Sequence, residues 1–359
     1  VTPHLNAIGT AVPPHDVHEA FLEVAPTFLP RASERRVFAR MAERSGIRHR
    51  YSFLRPSLAD MRAERYDTEG FYRPGAFPST AARMGRFARD APDLVDAALA
   101  DLDRRQGRDW RDGISHMVIC TCTGFAAPGL DQHLIDAQGI DRRVERVLIG
   151  FMGCNAAING YKTARHIVRS DPGARVLVLN IELCSLHFQE GTPLGTALMF
   201  MLFGDGAAAG VVSAEHSGLA MLGFGSDILP ETRDRITWNI GNEGFDMWLS
   251  GRVPEAIREH LPAHVESLRR EFSAAPVLWA IHPGGRSILD AVESSLCLSA
   301  DDLSASRSVL RDYGNMSSAT LPFVLQRMMD RPQEGRVGLA TGFGPGISVE
   351  TMLFREAGS

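Results

Sequence analysis

Three residues far apart in the chain, Cys154, His282 and Asn315, each stand where an apolar or periodic stretch breaks at a polar or glycine-rich turn. An ionised cysteine is a strong side-chain nucleophile, and an imidazole beside it takes up the proton. A neutral histidine also donates one hydrogen bond, and an asparagine amide adds a donor that does not ionise. Two such donors form an oxyanion hole, whose loss of one member typically costs roughly 3 to 4 kcal/mol of transition-state stabilisation. Taken singly, each residue has a plainer reading. Cys154 fits a small buried filler, His282 a core histidine with satisfied bonds, and Asn315 a helix cap.

The elements that must position them follow from hydrophobic period. Val147 to Phe151 reads as a buried strand that breaks at Gly153, and Ile158, Tyr161, Ala164 and Val168 then recur at helical spacing. Cys154 therefore opens a helix, where free backbone N–H groups and the dipole favour a thiolate. A drop of roughly two units from ~8.5 would leave it mostly anionic at neutral pH. His282 ends a strand from Pro276 to Ile281, and Pro283-Gly284-Gly285 turns into a helix through Ile288, Val292 and Leu296. Asn315 precedes the periodic segment Ser317 to Met329.

Around these, Leu5 to Ile8 predicts a strand leading into a proline-rich, loop-like arm to residue 30. Ser33 to Gly46 predicts a helix with Arg36, Arg40 and Arg44 on one face, a landing strip for phosphates or a solvated surface. Tyr51 to Ala76 reads as a loop, followed by a helix ending near Asp90 and a second, amphipathic one from Ala91 to Asp103. Strands are expected at Ile114–Cys122, Val144–Phe151, Ala174–Leu183 and Ala207–Val212, and later at Arg336–Thr341 and Ile347–Phe354. Val253 to Phe272 is helical, and Ala214 to Glu231 reads as the crossing between halves. Alternating strands and helices predict an α/β layered fold with a buried sheet. The repeated order of strand, reactive residue and helix suggests an internal duplication, residues 1–213 carrying the cysteine and 214–359 the histidine and asparagine.

With 359 residues the chain is long enough for two such units. A net charge of -5 and a pI near 6.2 provide no basic surplus for nucleic acid or an anionic membrane. Apart from Lys162 the basic residues are arginines. No apolar run reaches the length of a membrane span, and the first residues lack the pattern of a signal peptide, so a cytoplasmic setting is expected. Five cysteines scattered through apolar stretches argue against a disulfide framework. Neither Cys120 with Cys122, which are expected to alternate along a strand and point to opposite faces, nor His260 with His264 reads as a metal site, since Pro262 interrupts the second pair and no acidic partner follows.

The flanks of the three reactive residues resemble the type III polyketide synthases, the chalcone and stilbene synthase family, over nearly the whole chain. The similar pieces are Gly153-Cys154, Leu202-Phe203-Gly-Asp-Gly-Ala-Ala, Ile281-His282-Pro-Gly-Gly, Tyr313-Gly-Asn315-Met-Ser-Ser-Ala and Gly342-Phe-Gly-Pro-Gly346. The resemblance implies a thiolase fold of two related αβαβα halves in five layers, a homodimer, and no cofactor beyond the CoA thioesters used as substrates. It implies that Cys154 carries the acyl chain, that His282 and Asn315 drive decarboxylation of malonyl-CoA, and that Phe203 is a gatekeeper. By the same resemblance Cys122, Ala127, Met247, Ser317 and Gly344 shape the cavity and Arg40 and Arg44 contact CoA phosphates. A third basic position falls at Val37, with Arg36 next to it. Cys122 stands where plant chalcone synthases have threonine, and Ala127 where they have a methionine that crosses the dimer interface. These departures point to a bacterial-type enzyme with an acyl-CoA starter of its own.

Two other readings compete. A ketoacyl carrier-protein synthase III has the same three residues on the same fold, but its histidine sits in a His-Gln-Ala-Asn run, unlike His282-Pro-Gly-Gly here. Gly342-Phe-Gly-Pro-Gly346 is a candidate dinucleotide site, but Ile347-Ser-Val-Glu after it reads as a strand, so the phosphate-binding helix is missing.

Overall fold

In the computed structural model, which describes residues 1–56, 65–107, 109–190 and 194–357, strands and helices alternate as the hydrophobic periods predict. The chain opens with β1 (His4–Ala11), β2 (His15–Asp16), α1 (His18–Val24), α2 (Ala32–Ser45) and β3 (Tyr51–Ser52). It continues with α3 (Thr80–Gln106), β4 (Ile114–Thr121), α4 (Leu130–Gln138), β5 (Glu145–Gly150), α5 (Ala156–Ser170), β6 (Arg175–Leu183), α6 (Leu194–Phe200) and β7 (Asp205–Ser213). Then come β8 (Leu219–Ile228), β9 (Ile236–Gly241), β10 (Gly244–Leu249), α7 (Val253–Glu271), β11 (Leu278–Ile281), α8 (Arg286–Ser295) and α9 (Ser304–Tyr313). The last elements are α10 (Thr320–Met329), β12 (Val337–Gly344) and β13 (Ser348–Glu356).

Nine of these strands hydrogen-bond in the order β11-β12-β13-β8-β1-β7-β6-β4-β5. The two arms of that ladder repeat one pattern. In one arm β4 and β6 pair parallel, β6 and β7 antiparallel, β7 and β1 antiparallel. In the other, β11 and β12 pair parallel, β12 and β13 antiparallel, β13 and β8 antiparallel. The arms join through two residue pairs, His4 with Ala220 and Leu5 with Leu219, and β5 is an extra strand beyond β4.

Side-chain alternation decides which face of each strand meets which helix. Val118, Cys120, Val176 and Val178 enter a central cluster with Ile158, Tyr161 and Val168 of α5 and Leu321, Val324 and Leu325 of α10. Leu278, Ala280, Ala340 and Met352 of the other arm enter the same cluster. Met117, Ile119, Leu177 and Leu179 face outward onto Leu94, Ala98 and Leu102 of α3 and Leu134 of α4. Trp279, Ile281 and Leu339 face outward onto α7 and α8. Helix, strands, paired helices, strands, helix: these are the five layers of a thiolase fold. Each large apolar side chain buried in them contributes about 1.5 to 3 kcal/mol, so α5 and α10, buried between the two arms, are the most firmly held helices.

Several expectations differ from what is found. The two helices expected between residues 80 and 103 are one, α3, with Pro92 inside. Its continuous buried stripe through Phe87, Ala91, Leu94 and Ala98 outweighs the hydrogen bond that the proline forfeits. The loop-like arm contains α1 and a 3-10 turn, Ala25–Phe28. The expected crossing at Ala214–Glu231 contains β8, whose apolar signal is diluted by Gly223 and Gly225, where a Cβ would strike Phe272 and Leu268. The hairpin β9–β10 was not expected at all, although Ile236, Trp238 and Ile240 alternate before the Gly241 to Gly244 turn. Of the loop expected at Tyr51–Ala76, residues 57–64 lie outside the described residues. Cys120 and Cys122, two apart on β4 and its end, point the same way. Their sulfurs approach Ala156 O and Gly153 O, and no cluster of metal-ligating side chains occurs among the described residues.

Candidate active site

β5 ends at Gly150, and the chain reverses through Phe151 at φ 59° and Gly153 at φ 78° into the 3-10 turn Gly153–Asn155 that opens α5. A side chain at Gly153 would adopt a left-handed backbone and put its Cβ 2.4 Å from Pro345 Cδ. Asn155 anchors the turn by donating to Ser348 Oγ at 2.9 Å. His282 extends β11 by one residue, its N–H donating to Thr341 O at 2.8 Å. Asn315 lies between α9 and the 3-10 turn Ser317–Ala319 that leads into α10. Its N–H donates to Leu202 O at 2.8 Å and its carbonyl accepts from Gly204 N at 2.9 Å, which fixes Phe203 alongside.

These segments enclose a cavity of about 50 Å³ whose wall includes Cys154, His282, Asn315, Phe203, Met247, Ser317 and Gly344. Cys154 Sγ lies 4.0 Å from Asn315 Oδ1. That oxygen accepts Ser317 N–H at 2.9 Å, and Nδ2 donates to Gly284 O at 3.2 Å. The two bonds settle which end of the amide is which, and leave Nδ2 with a second hydrogen to give. His282 is buried, and neither ring nitrogen has a hydrogen-bond partner. A buried imidazole with no partner is costly unless a substrate supplies one.

Burial pushes the Cys154 thiol up to about 12, while hydrogen bonds from Ser317 and Asn315 pull the other way and Glu182 adds to the rise. Burial also lowers His282 to about 3. Desolvation thus opposes the thiolate that the helix start favours, and it favours the neutral imidazole at His282. A neutral imidazole has one N–H to donate.

The chain matches the chalcone and stilbene synthases in two parts, the N-terminal domain over residues 2–216 and the C-terminal domain over 223–357. It belongs to that family. A curated relative, "Alpha-pyrone synthesis polyketide synthase-like Pks18" of Mycobacterium tuberculosis, is 35% identical over 74% of this chain and 69% of its own length. 1,3,6,8-Tetrahydroxynaphthalene synthase of Streptomyces coelicolor superposes with a TM-score of 0.88 at 28% identity, covering 100% of both chains. CsyB complexed with CoA superposes with a TM-score of 0.86 at 25% identity, covering 99% of this chain and 100% of that one. The protein is thus a type III polyketide synthase, an acyltransferase that uses CoA thioesters, and the ketoacyl carrier-protein synthase reading gives way.

Other parts of the synthase were less legible. Cys122 stands behind the wall, its sulfur accepting Gly153 N–H at 3.0 Å. Arg36, Arg40 and Arg44 do share an exposed strip of α2, away from the cavity, and hold no ion pair among the described residues. Ala127 is exposed, on the loop after β4 and likewise away from the cavity. Trp238, Leu249 and Phe343 also line the wall, the first two from the unexpected hairpin. His187 holds that hairpin in place. Nε2 pairs with Thr123 O at 2.7 Å, Nδ1 accepts Phe245 N–H at 3.0 Å, and the ring stacks on Phe245 at 4.2 Å. Burial lowers its pKa to about 3, so it remains neutral. Glu182, at the end of β6, accepts from Cys122 N, Thr123 Oγ1 and Ser318 Oγ at 3.0, 2.8 and 2.5 Å, linking the two arms just behind Cys154. Its one sequence signal was a carboxylate inside an apolar strand.

Proposed function

We propose that Cys154 carries the growing acyl chain while His282 and Asn315 hold the thioester oxygen of malonyl-CoA as it loses carbon dioxide. In loading, Sγ bonds the starter carbonyl carbon, the CoA sulfur leaves, and His282 passes the cysteine proton to it. In extension, the bond from C2 to the malonyl carboxylate breaks and the electron pair spreads onto an enolate oxygen facing the two donors. C2 then bonds the acyl carbon on Cys154 and the sulfur departs as the leaving group. Release of carbon dioxide makes each cycle effectively irreversible, and ring closure gives an aromatic or pyrone product. The observation that carries this reading is one enclosed cavity holding the thiol, the oriented Asn315 amide and an unpartnered His282.

Phe203 and Met247 act as gatekeepers in this scheme, Cys122, Ser317 and Gly344 shape the wall, and Arg40 and Arg44 meet CoA phosphates from α2. The side chains complete the chemistry without a cofactor. A fatty acyl starter giving an alkylpyrone or alkylresorcinol fits the apolar wall and the pyrone named for the mycobacterial relative. The chain divides into units 1–213 and 214–359. A homodimer forms across β5, an outer strand with Val147 and Leu148 exposed by 40% and 59%, beside the loop of Ala127. Five free cysteines, one of them the exposed Cys297, fit the reducing cytoplasm. No helix among the described residues is long and apolar enough to cross a membrane.

The test is incubation with radiolabelled malonyl-CoA and a panel of short to long acyl-CoAs, without carrier protein, read by mass spectrometry. Cyclised products with more than one extension are expected; a single condensation that requires carrier protein would overturn the reading.

A further inference from the structure

Arg50 is a buried charge to which the reaction scheme assigns no task. It lies just before β3 and is 3% exposed; burial lowers its pKa only to about 10, so it stays cationic at neutral pH. Nε donates to His18 Nδ1 at 3.0 Å, and Nη1 donates to the carbonyl oxygens of Phe200 and Phe203 at 2.7 and 2.6 Å. No carboxylate forms an ion pair with it among the described residues. The stem packs where two side chains are missing. A Cβ on Gly204 would stand 3.4 Å from Arg50 Cβ, and one on Gly314, at φ 68°, 2.8 Å from Arg50 Cγ.

Those glycines follow Phe203 and precede Asn315. Between them run the two backbone bonds, Gly204 N to Asn315 O and Asn315 N to Leu202 O, that tie the segments together. Arg50 therefore grips the crossing of the two segments that carry Phe203 and Asn315, and its planar fork satisfies carbonyls left over as α6 ends. A lysine places its three donors on one atom, so it lacks the rigid plane that holds Nε on His18 and Nη1 on the two carbonyls at once.

We propose that Arg50 is a positioning residue for the condensation: by tying the Phe200 and Phe203 carbonyls against Gly204 and Gly314, it holds the Phe203 ring and the Asn315 amide together at the cavity. The inference rests on the roles given above to Phe203 and Asn315. Loss of the guanidinium should then impair malonyl-CoA decarboxylation more than acylation of the cysteine.

The experiment uses full-length Arg50→Lys and Arg50→Ala, normalised by alkylation of Cys154, with carbon dioxide release and intact-mass acylation measured separately. Small misplacements of catalytic groups cost up to about 100-fold, so kcat for release should fall about 10- to 100-fold while acylation stays within about threefold. Millimolar methylguanidinium should restore part of the activity of Arg50→Ala and none of Arg50→Lys. If Arg50→Ala does not fold, Arg50→Lys decides. Wild-type release in a folded variant, or equal loss of release and acylation without rescue, overturns the proposal. Asn315→Ala run in parallel separates the two levels. Retained release there sinks the reading of the site itself, whereas loss there with normal Arg50 variants sinks only the role of Arg50.

Discussion

Helices α5 and α10 occupy corresponding places in the two arms of the ladder, each running into the parallel pair of its arm, yet their first turns carry different chemistry. α5 is preceded by the thiol of Cys154 and α10 by the amide of Asn315. The ends of the corresponding strands differ too, β4 leading into Cys122 and Thr123 and β11 into His282. In the proposed scheme one arm contributes the atom that reacts and the other the donors that face it. Packing α5 and α10 back to back in the central layer brings both first turns to one cavity. The repeated strand pattern accounts for where the groups sit, and the residue types at those places account for how they differ.

The sharpest way to break this division is Cys154→Ala. Acyl-enzyme and product should vanish, a loss of at least about 10³-fold, while carbon dioxide release from malonyl-CoA persists. Simultaneous loss of release would mean that the donors do not act independently of the sulfur. Asn315→Ala is the mirror experiment. Decarboxylation should fall about 10²- to 10³-fold, the cost of one oxyanion donor, with alkylation of Cys154 by iodoacetamide little changed.

The arms also respond oppositely to pH. Burial raises Glu182 from 4.5 to about 7, and Asp205 from 3.8 to about 7. Across that window the unfolded chain gives up protons that the folded chain keeps, so these groups make stability fall as pH rises. His282, lowered from 6.5 to about 3, does the reverse: its contribution is lost as pH falls through that range. Glu182→Gln should flatten the loss between pH 4.5 and 7 by up to about 3 kcal/mol, at about 1.4 kcal/mol for each pH unit that separates the unfolded from the folded carboxyl. Denaturant titrations at several pH values check it; an unchanged slope would contradict the assignment. A smaller effect belongs to the turn before α5. Gly153→Ala should cost about 1 to 3 kcal/mol through its left-handed backbone and its approach to Pro345, lowering Tm; an unchanged Tm would show that the turn adapts.

Much of this was legible beforehand for a local reason. The strands β4, β6 and β12 and the helices α2, α5 and α7 have clean periods, and the breaks at Gly153, His282 and Asn315 fall before α5, after β11 and before α10. In β8 the glycines at 223 and 225 dilute the alternation, whereas β9 and β10 are only six residues each and carry polar residues among their apolar ones. Pro92 divides α3 when only the sequence is considered, because a helix-breaking residue says nothing of the surface beneath it. Glu182, His187 and Arg50 drew no notice as site residues, since what singles them out is a partner more than fifty residues away in sequence: Ser318, Thr123 and Phe203.

The sequence by itself determined the order of elements, the reactive side chains and their company of glycines, because period, turn chemistry and residue type are properties of short stretches. Tertiary structure decided that burial moves both the Cys154 thiol and the His282 imidazole toward their neutral forms, because that depends on how much water the assembled wall excludes. It also decided which strand of each arm borders which helix layer, and that the amide of Asn315 points its nitrogen toward Gly284. Those outcomes depend on surfaces that exist only once both arms have closed on α5 and α10.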